Sequence, residues 1–543
     1  MARTFRARRI GVAAAAMLAS TALLAGCASG GDSGSGGESG SSGGGSSDAT
    51  QAGIIGDQPE AGDPVSGGTL SFAGYSMPSS LDPTKTQPAG STGGTEMANI
   101  YDLLVRYDAD KQQYVPQLAK SLTESDDHLT WTIGLREGVT FSDGTPLDAQ
   151  AVVDSMNRYT ENRGANSQQF KAGVKSIEAT DPQTVTVTLN APWSEFPAVL
   201  TFGYGMILAP AAYADPNDFK PIGAGPFTVT EFAPARSLEL APREDYWDGK
   251  PYLDTLKFVD IAGGQPRIQA MDSGGVQMTF LRSPEWVTAA KAKYPGFYEP
   301  LNAADVLQIN NREGRPGADP NIRKAIALAM NPDVINQRAF GGDGHPTTKV
   351  FAEWSKWHND VPAFTQDTAQ AKQLVDAAKA NGFDGNITYV TVNNPVSQAI
   401  ATSTQAMLNA VGFNVDVQYT ATVTDMVKRL YVDHDFDITY SSYSISDAVP
   451  FMRLDAALRS DSSNNILGYN SPEMDKLLDT AQHATTDDAE KAALKAIEQK
   501  IHNDVPYLNL GWGSNFVAWK PNVYGAMPSN DGIMLLGNTW IQQ

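Results

Sequence analysis

A single cysteine, Cys27, stands in 543 residues, so no intramolecular disulfide is available and packing must stabilise the fold. Histidine is scarce too. His128, His345, His358, His434, His483 and His502 include no pair at the i, i+3 to i+5 spacing of helix-borne metal sites. Basic residues number 40 against 61 acids, a net charge of −21 that argues against nucleic acid and against a polybasic membrane contact. No Walker A motif and no HExxH is present, so no catalytic constellation is legible and no cofactor is expected. Gly40-Ser41-Ser42-Gly43-Gly44 satisfies G-x-S-x-G only through low complexity, with no strand before it and no helix after it. Asp433–Asp437 imitates a calcium loop, but Ile438 stands where the loop glycine belongs and Ser444 where its last Glu belongs. The apolar run Ile10–Leu24 has 15 residues, short for a spanning helix of roughly 20.

What is present is a globular composition, 41% hydrophobic and 19% charged, long enough for two or three domains. The apolar run follows Arg3, Arg6, Arg8 and Arg9 and ends in Leu24-Ala25-Gly26-Cys27, which looks like a bacterial lipobox. That likeness implies removal of residues 1–26 as a signal peptide and lipidation of Cys27. It also implies an address on the outer face of the bacterial cell membrane. The Arg8-Arg9 pair leaves twin-arginine export open. Residues 27–68 are rich in Gly, Ser, Asp and Glu, the composition of a flexible, solvated tether.

The most informative stretch runs from Leu118 to Tyr159. Trp131, Ile133 and Leu135 alternate with Thr132 and Gly134, as in a half-buried strand. Arg136-Glu137-Gly138 turns, Val139 and Phe141 start a second short strand, and Ser142-Asp143-Gly144 turns again. Asp148 sits where a helix N-cap belongs, with Val152, Met156 and Tyr159 following on one face. The whole string, LAKSLTESDDHLTWTIGLREGVTFSDGTPLDAQAVVDSMNRY, resembles the signature of the family 5 solute-binding proteins. These are the extracytoplasmic receptors of ATP-driven oligopeptide, dipeptide and nickel importers.

The resemblance extends over roughly residues 66–543. Leu81-Asp82-Pro83, the run Tyr101–Asp110, Pro221–Phe227 and Asp319–Asn331 all match family strings. The glycines of Pro221–Phe227 read as a turn into a strand, since the third glycine and the helix of a phosphate loop are missing. From Asp305 onward the pattern alternates strand and helix: Val306–Ile309, a helix from Asp319-Pro320, Asp367–Asn381, Ile387–Val392, Ala399–Val411 and Val415–Tyr419. That order argues a largely parallel sheet with helices on its faces. The expected fold class is therefore α/β, a two-lobed periplasmic-binding-protein-like fold with a small domain inserted in the first lobe. By resemblance, lobe 1 spans 69–304 with the insertion at about 85–200, lobe 2 spans 305–504, and 505–543 return to lobe 1. Crossovers are expected near Asp305 and Asp504.

In such a fold the solute lies in the cleft between lobes, and hinge closure holds it. Strand-end aromatics Tyr75, Tyr204, Tyr443 and Trp512 are candidates to line that cleft, each equally readable as core. Met77 lies in the Tyr75–Met77 strand end that a peptide backbone would pair with. Asn310, Asn393 and Asn394 end strands, where an amide either bonds the solute or forms a turn. In peptide-binding relatives the string around Tyr443 and Pro450 resembles G-W-x-x-D-x-x-x-P, whose Asp pairs with the α-ammonium. Here Ser446 occupies that place and Asp447 follows one residue late. Either the loop is shifted and Asp447 serves, or the solute lacks a free amine. The expected function is capture of oligopeptides for the permease subunits of an ABC importer by a lipid-anchored monomer. A sugar-like solute or a metal chelate is the alternative, and a secreted hydrolase, which no motif supports, is the alternative of another class.

Overall fold

In the computed structural model, which describes residues 51–542, the chain opens with β1 (Gly53–Ile55) and β2 (Thr69–Gly74). Cys27 and the signal-peptide segment lie outside the described residues. The expected tether ends earlier than its composition implies. Gly53–Ile55 pairs antiparallel with Gly296–Tyr298, the Gln58 amide donates to the carbonyls of Pro521 and Val523, and Gly67 N–H donates to Tyr252 O at 2.7 Å. Backbone hydrogen bonding to a sheet edge needs few apolar side chains, so polar composition does not register it.

Helix α1 (Gly94–Tyr101) is buried along its whole length, and Asp102, at φ 60°, stops it. The inserted unit follows: β3 (Ala119–Glu124), β4 (Thr130–Leu135), α2 (Ala149–Glu161), α3 (Ser167–Gly173), β5 (Val174–Asp181) and β6 (Thr184–Leu189). Its strands form an antiparallel sheet in the order β3-β4-β6-β5. Asp148 caps α2 by accepting from Ala151 N at 2.9 Å, and Val152, Met156 and Tyr159 bury with Trp131, Ile133 and Leu135. Val139–Phe141 forms no strand; a lone bridge, Thr140 to Pro146, is all that pairs there.

Beyond the insertion run β7 (Phe227–Ala233), β8 (Ser237–Pro242), β9 (Thr255–Asp260), α4 (Gly264–Asp272), β10 (Met278–Leu281) and β11 (Gly296–Ile309). Then come α5 (Pro320–Ala329), α6 (Thr368–Ala380), β12 (Asn386–Val392), α7 (Pro395–Ala410), β13 (Asn414–Thr420) and β14 (Ile438–Ser441). Helices α8 (Pro450–Leu458), α9 (Pro472–Gln482) and α10 (Asp487–Asp504) lead into β15 (Tyr507–Trp519). One sheet runs β13-β12-β14-β11-β15-β10-β2-β9-β8-β7. β12 is parallel to β13 and β14, and β2 is parallel to β9 and β10, but the central β14-β11-β15-β10 ladders are antiparallel. The sheet is thus mixed, because the chain crosses and recrosses between lobes instead of winding one way.

β11 and β15 each serve two cores. Phe297 and Val517 pack with β2, α1 and β7–β9, whereas Leu307, Ile309, Leu508 and Leu510 pack with α5–α7 and β12. Between these halves the ladder slips register twice, between Leu301 and Asp305 and again between Asp305 and Val306, and Ala303 adopts φ 46°. Bulges of this kind bend and locally unpair a strand. Asp305 sits at the slip; burial pushes its carboxyl up to about 6, and the Tyr440 hydroxyl that donates to it pulls the other way.

Candidate functional site: the interlobe cavity

A cavity of about 1610 Å³ opens between the walls built by these two halves and the inserted unit. Its lining comes from the loop after β2 (Thr84–Thr92), the end of α2 through α3, Arg282 directly after β10, Ser441–Ser444 after β14, α8 with the residues after it, and Asp531. Small-solute pockets typically hold about 300–1,000 Å³, so this one suits a solute of several units. Six lining side chains are cationic (Lys85, Arg163, Lys171, Arg282, Arg453 and Arg459) against five acids, whereas the whole chain has 40 against 61. The cavity wall is therefore more basic than the chain around it.

A polar network joins its two sides. Arg282 Nε donates to Asn515 Oδ1 at 3.0 Å, and Asn515 Nδ2 donates to Glu299 Oε2 at 3.0 Å and to Asp531 Oδ1 at 3.4 Å. Asp531 N–H donates to Glu299 Oε1 at 3.1 Å, and Arg453 Nη2 on α8 reaches Asp531 Oδ2 at 3.0 Å. Burial, then the charge of Asp531, holds the Glu299 carboxyl well above the ordinary range. Asp531 itself has φ 56°, a left-handed conformation that its hydrogen bonds hold in place.

Of the residues expected from the sequence, Tyr443 lines the cavity, its ring edge-on to Tyr507 at 4.8 Å. Tyr75, 38% exposed and edge-on to Phe280, lies outside that lining. The others have different work. Met77 is buried in the first-lobe core. Tyr204 is core to the inserted unit, stacked on Phe170 at 3.8 Å, its hydroxyl 2.9 Å from Thr160 Oγ1. Asn310 is fully buried and donates to the carbonyls of His434 and Phe436. Asn394 caps α7 through Ser397 N at 2.9 Å, and Asn393 accepts from Gln398 at 2.6 Å. Trp512 stacks on His345 at 3.7 Å and lies outside the cavity lining.

Ser446 and Asp447 also lie outside that lining. Ser446 Oγ accepts from Ala448 N at 3.3 Å and its side chain bonds Glu299. The Asp447 carboxylate accepts from Asn302 Nδ2 at 2.9 Å, Ser355 Oγ at 2.6 Å and Lys356 N at 2.8 Å. Burial still raises its pKa against those three donors. A carboxylate so engaged ties the loop after β14 to the chain at 302 and 355–356. The residues the pattern passes over are Arg282, Arg453 and Asp531. Arg282 has a readable signal, a charge placed directly after the apolar strand Met278–Leu281 and before Ser283-Pro284; the other two have none.

The family model for bacterial extracellular solute-binding proteins, family 5 (middle), matches residues 113–465. The chain belongs to that family. Its role is that of an ABC-transporter substrate-binding protein, and no helix among the described residues is long and apolar enough to cross a membrane. The glutathione-binding protein GsiB of Escherichia coli (strain K12) is 27% identical over 414 residues, covering 72% of this chain and 79% of that protein. The oligopeptide-binding protein AppA of Bacillus subtilis (strain 168) is 26% identical over 499 residues, covering 86% and 90%. The solved structure of AppA from Bacillus subtilis with a nonapeptide superposes with a TM-score of 0.75 at 23% identity, covering 89% of this chain and all of that one. These family 5 relatives share the two-lobed fold.

Proposed function

We propose that the solute is an oligopeptide, held in the cavity as the lobes close about the register slip at Leu301–Val306, and that Cys27 carries a lipid that keeps the receptor beside its permease. The observation carrying the reading is the cavity itself. Its roughly 1610 Å³ exceeds the need of a single small solute, and amides and hydroxyls such as Gln168, Gln169, Gln308, Ser441 and Ser442 line it. Such groups bond a peptide main chain while leaving side-chain choice permissive. The named specificities of GsiB and AppA, glutathione and oligopeptides, support the same class. Native mass spectrometry of solute co-purified with the protein, followed by calorimetry with tri- to pentapeptides, tests it. Peptide masses and saturable peptide binding are expected; a sugar or metal chelate in the cavity, with no peptide bound, removes the reading. For the anchor, Cys27→Ala is expected to move the protein from salt-washed membranes to the soluble fraction, and retention on membranes refutes lipidation at that residue.

A further inference from the structure

Two arginines near the carboxyl ends of β2 and β10 make no close ion pair, and only the more distant charge of Asp260 acts on Arg267. Arg282, directly after β10, and Arg267, on α4, both sit over the ring of Tyr75, their guanidinium carbons 5.7 and 5.2 Å from its centroid. Neither has a carboxylate oxygen within 4.0 Å among the described residues. Arg267 is only 5% exposed; its Nη2 donates to Tyr75 O at 2.6 Å, and its buried Nε makes no hydrogen bond among the described residues. A buried cation without a close counter-charge is costly, and a second cation beside it raises that cost. The chain does not lack acids with which to pair them, since Arg158 meets Asp82 at 2.7 Å and Arg315 meets Asp437 at 3.4 Å.

The position is one that α/β sheets use for ligands. β2, β9 and β10 are parallel, and Tyr75 and Arg282 each follow the carboxyl end of one of them. Ligands of open α/β sheets bind outside such ends. Asn515 holds Arg282 by its Nε alone, at 3.0 Å, so the guanidinium plane is oriented while both Nη atoms have no partner among the described residues. Arg282 lines the cavity, and across it Arg453 is already committed to Asp531. A guanidinium fixed at Nε with free Nη groups presents the planar donor geometry that matches a carboxylate.

We propose that Arg282, with Tyr75 and Arg267 behind it, forms a carboxylate subsite, so that the solute carries a free carboxyl group, which in a peptide is its C-terminus. The inference rests on the reading of the cavity as the solute site. Calorimetry on matched acid and amide probes tests it: tri-alanine against tri-alanine amide, and succinate against succinamide. Tri-alanine is expected to bind the wild-type protein at least about tenfold more tightly than its amide, the scale of one charge-assisted hydrogen bond. In Arg282→Gln that preference disappears, acid and amide binding alike within the variant; Arg282→Lys, which keeps the charge without the fork, retains part of it. If tri-alanine does not bind but succinate does in an Arg282-dependent way, the subsite stands and the peptide reading falls. An acid preference absent from both pairs in wild type, which needs no variant to fold, overturns the proposal. So does a preference that survives undiminished in Arg282→Gln.

Discussion

At the scale of single residues, the carboxylates separate into those that line the cavity and those that hold the chain. Asp447 belongs to the second kind, because three internal donors already surround its oxygens. Asp447→Asn is expected to lower the melting temperature, at a cost of about 1–3 kcal/mol for the disturbed buried hydrogen bonds. It should leave the ratio of affinities for tri-alanine and N-acetyl tri-alanine unchanged, and a selective loss for the free amine would return Asp447 to the amine site. Glu96 is a different case. It lies fully buried on α1 with Oε2 unbonded among the described residues, and burial pushes its carboxyl up to about 7. The folded protein therefore keeps a proton that the unfolded chain releases near pH 4.5, the ordinary glutamate value. Stability from this group is fully present below that pH and is lost as pH rises through about 7, so the slope is negative between the two. Glu96→Gln is expected to flatten the decline of urea midpoints between about pH 5 and about pH 8 and to stabilise the protein at the upper end by roughly 3 kcal/mol. Equal slopes in wild type and variant would show that Glu96 is ionised in the fold.

At the scale of elements, caps and glycines were the legible parts, and long irregular strands were not. Asp148, Asp319 and Asn331 each accept the expected backbone N–H at the start of a helix. The turn in Pro221–Phe227 is there too, and the structure supplies its reason. Gly225 N–H donates to Ile100 O at 2.9 Å at the end of α1, and a Cβ on Gly225 would lie 2.6 Å from the Ile100 carbonyl carbon. Gly225→Ala must push two backbones apart, an overpacking expected to cost about 1–3 kcal/mol in chemical denaturation; a midpoint equal to wild type would show that α1 can retreat freely. By contrast, β15 runs unbroken through Gly511–Ser514 to Trp519. Gly511-Trp512-Gly513-Ser514 breaks the alternation of apolar and polar residues that marks a strand. Its pairing with β11, itself interrupted by Pro300, comes from a partner about 200 positions away, which no local pattern records. Helix α7 likewise starts at Pro395 instead of Ala399, because Asn394 is its cap.

At the scale of the molecule, contacts across the cavity and its flank set how the lobes meet. Arg453 on α8 reaches Asp531 at 3.0 Å. Beside it, the Tyr114 hydroxyl donates to Ala448 O at 2.6 Å, and Glu195 of the inserted unit accepts from Phe451 N at 3.1 Å where α8 begins. Burial, then the neighbouring charge of Glu490, holds Glu195 far above the ordinary carboxyl range. Solute binding is expected to reduce the radius of gyration in small-angle scattering. Arg453→Ala should weaken that compaction and lower affinity up to about tenfold, since a partly exposed pair contributes about 1 kcal/mol. An unchanged radius in wild type with saturating solute would exclude hinge closure as the capture step.

The sequence by itself determined the family and the α/β class, because strand alternation, caps, turn residues and a long signature string are all local. It also carried the one charge, at Arg282, that interrupts an apolar strand end. Only the tertiary structure decided which strand-end residues line the cavity. Met77, Tyr204 and Asn310 have the composition of a cleft and the burial of a core. Asp447 has the charge of an amine site and the partners of a structural tie. A side chain's type states what it can bond, whereas its role depends on which donors and acceptors the fold has already placed around it. That assignment rests on pairings between residues far apart in the chain, such as Arg282 with Asn515 and Arg453 with Asp531.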